Sequence, residues 1–223
     1  RDAQESRGLG DVYKRQALYL GIEAYNFAPG SEVITPALTF STTIGCLIKN
    51  NLVPVFTDVE LLTYCIDVNQ IEAKITDKTK AIIPVSLFGQ VADMDEINTL
   101  AKKHNVSVIE DAAQSFGAEY KGKKVGSLVD MTCFSFNPVK NLGAMGDAGA
   151  VTGIKELVDK VRMYRDHGRK TKFEYEKVGY NARIDNLQAV IVKAKLSKID
   201  SWLDKKRTVC SCLLYTSPSP RDS

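Results

Sequence analysis

Val106-Ser107-Val108-Ile109-Glu110-Asp111 is a short β-branched run that carries apolar side chains on both alternating faces and ends in two acids. A strand with one face in water alternates apolar with polar. A run apolar on both sides fits a parallel strand covered by helices above and below. Outward from this stretch the same kind of run recurs at Ala81-Ile82-Ile83-Pro84-Val85, Met131-Thr132-Cys133-Phe134-Ser135-Phe136, Glu32-Val33-Ile34 and Pro54-Val55-Phe56. The segments between are amphipathic. Residues 93–103 place Met94, Ile97, Leu100 and Ala101 on one helical stripe, and 186–204 reads as one long helix with Leu187, Val190, Ile191 and Ala194 facing inward. Strands alternating with helices predict an α/β fold, a mainly parallel sheet covered by helices on both faces.

At 223 residues, 44% hydrophobic and 26% charged, the chain has room for one domain or one and a half. The apolar runs fall short of the roughly 18 residues of a membrane span, and the amino terminus lacks the hydrophobic stretch of a signal peptide. The expected address is the cytoplasm, with no membrane partner.

The two ends are related through the genetic code. If Asp11-Val12-Tyr13-Lys14-Arg15-Gln16 is encoded GAT GTG TAT AAG AGA CAG, the complementary strand reads CTGTCTCTTATACACATC, which in a shifted frame gives Cys-Leu-Leu-Tyr-Thr-Ser, the residues at 212–217. Ser6-Arg7-Gly8-Leu9-Gly10 answers to Pro218-Ser219-Pro220-Arg221-Asp222 in the same way. Inverted copies flanking an open frame resemble transposase adapters from sequencing libraries. Residues 1–16 and 212–223 are therefore expected to be adapter-derived, leaving 17–211 as the native part. Setting the ends aside removes five of the 30 Lys and Arg and four of the 27 Asp and Glu, for a net charge of +2. That balance gives no reason to expect nucleic acid. Cys46, Cys65 and Cys133 read as reduced core thiols, and with only His104 and His167 no metal site is expected.

Open α/β sheets present functional groups where their strands end. Asp111 closes the run quoted above, and Lys140 follows the strand ending at Phe136 across Asn137-Pro138-Val139, entering the glycine-rich stretch 141–149. Singly, Asp111 reads as a helix N-cap and Lys140 as a solvated loop lysine. Together they match the demands of pyridoxal phosphate chemistry: a lysine amine to form a Schiff base and a carboxylate to keep the pyridine nitrogen protonated, so that the ring can draw electrons from the substrate carbon. The glycines after Lys140 would give it room to act as the base moving a proton between carbons. Under this hypothesis the Phe40 ring could stack on the cofactor, Gln114 could reach the ring oxygen and Ser135 could donate to the phosphate. The alternatives are a core Phe before a helix cap, a glutamine capping its own turn, and a strand serine bonded to backbone. Asn181 opens the polar stretch 181–186, which otherwise reads as the capping segment of the long helix.

Six blocks, Gly30-Ser31-Glu32-Val33-Ile34-Thr35-Pro36-Ala37, Pro54-Val55-Phe56-Thr57-Asp58-Val59, Gly89-Gln90-Val91-Ala92-Asp93-Met94, Ile109-Glu110-Asp111-Ala112-Ala113-Gln114, Ser135-Phe136-Asn137-Pro138-Val139-Lys140-Asn141-Leu142-Gly143 and Gly179-Tyr180-Asn181-Ala182-Arg183-Ile184-Asp185, together resemble the DegT/DnrJ-type pyridoxal-phosphate-dependent sugar aminotransferases, in family order. The resemblance runs from Ala17 to about Val209. It implies the large domain of the fold type I class, and transfer of an amino group, usually from glutamate, to a nucleoside-diphosphate keto-sugar. It further implies that Lys140 is the Schiff-base lysine and catalytic base. Asp111 would pair with the pyridine nitrogen, Phe40 stack on the ring, Gln114 contact the ring oxygen and Ser135 hold the phosphate. Asn181 would reach the phosphate of the neighbouring subunit, making a homodimer part of the site. Members with His at the Schiff-base position remove a hydroxyl instead, and Lys140 argues against that branch.

The blocks at 140–147 and 181–185 look more like members aminating sugar carbon 3 than carbon 4. Two departures stand out. The family's Gly-Thr phosphate loop before the Ala-Leu-Tyr-Leu helix is replaced by adapter residues, and the small C-terminal domain is largely missing. The chain therefore reads as an internal fragment, inactive alone. The competing readings are a pyridoxal-phosphate-dependent sugar dehydratase or other fold type I enzyme, and a non-catalytic sugar-nucleotide-binding or regulatory relative. Lys121, Lys123 and Lys124 read as a solvated hairpin.

Overall fold

The computed structural model describes residues 7–12 and 14–216, with side chains from 15 to 215. In chain order they form β1 (Arg7–Val12), α1 (Lys14–Ala24), β2 (Glu32–Pro36), α2 (Ser41–Lys49), β3 (Val53–Thr57), β4 (Thr79–Ile82), α3 (Met94–His104), β5 (Ser107–Asp111), β6 (Glu119–Tyr120), β7 (Lys123–Lys124), β8 (Met131–Ser135), β9 (Gly149–Ile154), α4 (Lys155–Tyr164), α5 (Asn186–Leu196) and α6 (Ile199–Thr216). One seven-stranded sheet runs β1-β9-β8-β5-β4-β2-β3. The ladders joining β3, β2, β4, β5 and β8 are parallel, and β9 is antiparallel to both its neighbours.

Each central strand divides its apolar residues between two cores, as the two-sided runs predict. Ile34, Ile82, Val108, Phe134 and Ala150 face one layer, with Met94, Ile97 and Ala101 of α3 and Ile199 of α6. Val33, Ala81, Ile83, Ile109, Cys133 and Val151 face the other, with Ala17, Leu20 and Ile22 of α1, Leu47 of α2 and Val158 and Val161 of α4. α1 lies so close to β8 that a Cβ on Gly21 would sit 2.8 Å from Met131 Sδ. A larger residue there would have to displace the Met131 side chain, and the close approach brings the first turn of α1 beside the strand ends.

The hairpin of β6 and β7 turns on Lys121 and Gly122, both at positive φ, with Lys121 paired to Asp95 and Lys124 to Glu119. Cys46, Cys65 and Cys133 are buried thiols outside any disulfide. Among the described residues no three His, Cys, Asp or Glu side chains gather as metal ligands, and no helix is long and apolar enough to cross a membrane.

One expectation needs correction. The helix expected over 186–204 is two helices, broken at Ser197 and Lys198, where the Ser197 hydroxyl donates back to Ala194 O and Lys198 N bonds to Lys195 O. The bend lets Ile199, Trp202 and Leu203 reach the core under α3. It also changes the inward face of α5. Leu187 and Val190 are 69% and 64% exposed, while Val192 packs on the core. Residues from both stretches expected to be adapter-derived take part in the fold. Residues 7–12 complete the sheet edge in register from Arg7 opposite Ile154 to Val12 opposite Gly149, 14–16 open α1, and 212–216 close α6. An open strand edge pairs through backbone groups with any extended segment, so this ladder is indifferent to where the residues came from. Residues 1–6, 13 and 217–223 of those two stretches lie outside the described residues.

Candidate active site

The strands β2, β4, β5 and β8 all end on one edge of the sheet, and a cavity of about 630 Å3 opens there, lined by Arg15, Gln16, Phe40, Thr42, Gln114, Asn137, Val139, Lys140 and Asp147. Three of the expected residues, Phe40, Gln114 and Lys140, thus share one space. Asp111 lies beneath it, in a small adjoining gap that Thr42 also lines.

Lys140 is placed by a turn that its sequence encodes. Pro138 sets the second position, Lys140 N donates to Asn137 O at 2.9 Å, and Val139 N donates to Asn137 Oδ1 at 3.3 Å. Asn137 Nδ2 reaches Asp147 Oδ1 at 2.9 Å across the mouth of the glycine-rich loop. A Cβ at Gly143 would lie 2.5 Å from Pro138 O, so the loop folds back on its own start and leaves the half-buried Lys140 at its tip.

Asp111 ends β5 and is held from two sides. Its Oδ1 accepts from Ala113 N at 3.1 Å, and its Oδ2 accepts from the buried Thr43 hydroxyl at 2.8 Å. Since the Thr43 proton is used there, Thr43 Oγ1 accepts in turn from Thr39, 2.9 Å away. Thr39 and Thr43 flank Phe40, the extended N-cap residue of α2, whose ring is 60% exposed at the cavity wall. It is not a core phenylalanine. The hydroxyl chain ties the loop bearing Phe40 to the carboxylate below.

Gln114 stands on consecutive tight turns, with Ser115 N bonded to Ala112 O and Ala118 N to Ser115 O, so no helix begins there. Its Oε1 accepts from Phe88 N at 2.9 Å, which leaves the amide N–H groups as the other polar end. Phe88 itself stands at a φ of 55°. Ser135 is buried at the end of β8, its Oγ accepting from Asn137 N at 3.3 Å; it stands behind the cavity wall, not on it. Asn181 does not line this cavity. It forms an isolated bridge with Asp166, while Asp185 is the N-cap of α5.

Sequence reasoning missed the lining residues Asn137, Asp147, Thr42, Arg15 and Gln16, and it missed Glu110. The Asn-Pro turn was a signal for Asn137. Glu110 points away from Asp111 and is 0% exposed, accepting from Ser86 Oγ at 2.6 Å and Thr132 Oγ1 at 3.1 Å. Burial pushes its carboxyl up to about 7, the two hydroxyls pull it down, and the Asp111 charge adds to the rise. A carboxyl raised by folding contributes stability that is fully present below its unfolded value of 4.5 and is lost as pH rises through about 7. Glu110→Gln should therefore flatten the fall in stability between pH 5 and 8, a difference approaching about 3 kcal/mol. Urea denaturation across that range checks this; an unchanged pH slope in the variant would exclude the assignment.

As a holder for pyridoxal phosphate, the donor set fits. An amine, an amide donor and an exposed aromatic face border a cavity within the roughly 300–1,000 Å3 of small-ligand sites, above a carboxylate with unused lone pairs.

The chain is 45% identical over 206 residues to a "Pleiotropic regulatory protein" of Geobacillus stearothermophilus, covering 92% of this chain and 55% of that protein. It is 44% identical over 203 residues to a UDP-N-acetyl-3-dehydro-alpha-D-glucosamine 3-aminotransferase of Acidithiobacillus ferrooxidans, covering 91% and 55%. The crystal structure of S. venezuelae DesV in complex with a ketimine intermediate superposes with a TM-score of 0.89 at 35% identity, over 93% of this chain and 56% of that one. The chain thus spans about half the length of the curated relatives it matches. The family model matches residues 15–216, nearly the whole of the chain: this chain belongs to the DegT/DnrJ/EryC1/StrS aminotransferase family.

Proposed function

We propose that the chain is the cofactor-binding large-domain portion of an enzyme that moves an amino group from glutamate to a nucleoside-diphosphate keto-sugar, at sugar carbon 3. The native part is 17–211, and 1–16 and 212–223 are adapter-derived. What carries the reading is the meeting of Lys140, Gln114 and Phe40 on one cavity with Asp111 beneath it. Pyridoxal phosphate, when bound, supplies a carbonyl for the amine and a ring that takes up electrons from the substrate carbon. Lys140 supplies the amine and, once displaced by substrate, the base that carries the proton between carbons. Asp111, oriented by Thr43 and Ala113, holds a proton at the ring nitrogen. Phe40 covers one ring face, Gln114 donates to the ring oxygen, and Ser135 serves the phosphate together with Asn181 of a neighbouring subunit in a homodimer. Turnover on this reading requires the remaining length of the relatives, and a cytoplasmic location goes with it.

A regulatory role is the second reading, favoured by the likeness to the pleiotropic regulatory protein of Geobacillus stearothermophilus. The experiment that separates them is to incubate the chain with pyridoxal phosphate, reduce with borohydride and map the modified lysine by mass spectrometry. The expected result is label on Lys140. A folded chain that labels elsewhere or not at all overturns the enzymatic reading.

A further inference from the structure

The loop that carries Lys140 is held from outside by the two carboxy-terminal helices. Lys195 Nζ of α5 donates to Gly143 O at 2.6 Å, Gln188 Oε1 of α5 accepts from Met145 N at 2.9 Å, and Lys206 Nζ of α6 donates to Asn141 Oδ1 at 2.7 Å. Gln188 and Lys195 lie seven residues apart, with Val192 between them packed on the core, so all three project from one face of α5. That face meets the loop immediately after the lysine. The loop's own bonds fix its start, through Asn137 O to Lys140 N, and its middle, through Ala144 N to Phe136 O at 2.8 Å. Gly143 O, the carbonyl of the same peptide group as Ala144 N, is held by Lys195, so that group is bonded at both of its ends. An ammonium bonded to a carbonyl is among the stronger single hydrogen bonds, and here it adds to the Ala144 bond in a segment whose glycines leave the backbone permissive.

We propose that Lys195 is a positioning residue for Lys140: by holding Gly143 O it keeps the loop closed against Pro138 and the Lys140 amine turned into the cavity. Gln188 and Lys206 brace the residues on either side. This rests on the pyridoxal phosphate reading of Lys140. It adds that the helices leading out of the domain set the reach of the reactive amine, so that a shift of α5 is felt three residues from it.

The test compares the unsubstituted full chain with Lys195→Met, which removes the donor and keeps the stem, and Lys195→Arg, which restores donor and charge. Backbone hydrogen exchange of residues 141–146 is followed by mass spectrometry, and the share of borohydride-fixed pyridoxal phosphate on Lys140 against all other lysines is measured at limiting cofactor. In K195M exchange of the loop should rise about tenfold, as loss of one charge-assisted hydrogen bond implies. The Lys140 share should fall toward that of surface lysines, and K195R should recover both. If K195M fails to fold, Lys195→Gln, which shortens the stem and removes the ammonium while keeping the side chain polar, takes its place. Unchanged loop exchange in K195M overturns the proposal, and so does faster exchange with the Lys140 share unaltered. A faster loop in a chain whose unsubstituted form never labels Lys140 overturns the pyridoxal phosphate reading itself, so the two failures are told apart.

Discussion

Lys140→Met is expected to abolish borohydride-fixed pyridoxal phosphate at this position and, in the full-length protein, to lower amino-group transfer by about four orders of magnitude, the upper end of what a positioned general base contributes. The size follows from the two tasks given to one amine. It makes the covalent link that holds the cofactor, and it carries the proton afterwards. Methionine keeps the length of the stem, and the half-buried tip of a surface loop contributes little to either core, so thermal stability should stay near that of the parent. Lys140→Arg should fail as badly, because a guanidinium does not give up its proton at any pH the fold survives. Single-turnover measurements with glutamate read the effect directly. A K140M protein that still turns over would remove Lys140 from the chemistry, and with it the reason for reading the cavity as an aminotransferase site.

The expectation for Lys140 was within reach of the sequence because its position depends on local rules. A strand whose side chains alternate between two cores must end somewhere, and an Asn-Pro turn after it brings the next polar residue to the sheet edge. Asp111 was legible for the same reason. What was not legible depends on pairings between distant segments. Glu110 looks like any acid at a strand end until Ser86 and Thr132 arrive from the neighbouring segments to hold it. β9 was missed because Gly149-Ala150-Val151-Thr152-Gly153-Ile154 has two glycines and modest β propensity; its place between β8 and β1 makes it a strand. On α5 the apolar stripe through Leu187 and Val190 read as the buried face, and both are exposed. The loop contacts of Gln188 and Lys195 turn the other face inward, and a hydropathy pattern does not record polar contacts.

Asp111→Asn is expected to cost transfer between about 10- and 1,000-fold, the span by which an adjacent carboxylate favours the charged form of a titrating neighbour, here the ring nitrogen. The substitution isolates charge from shape. Asparagine fills the same buried volume at the end of β5, and its amide oxygen can still accept from Ala113 N or Thr43 Oγ1, so the strand end and the hydroxyl chain to Thr39 remain in place. What disappears is the negative charge below the cavity floor. The loss should appear mainly in the rate of the proton-moving step and less in the fixing of cofactor to Lys140, since the link at the amine does not need a protonated ring nitrogen. Lys140→Met removes both together, and this difference separates the two roles. Equal losses in labelling and in rate for D111N would mean that Asp111 holds up the site without tuning the ring. Full activity in D111N would mean that the hydrogen bonds of Thr43 and Ala113 serve a structural corner of the sheet, and that the charge partner of the cofactor must be sought elsewhere along the same edge.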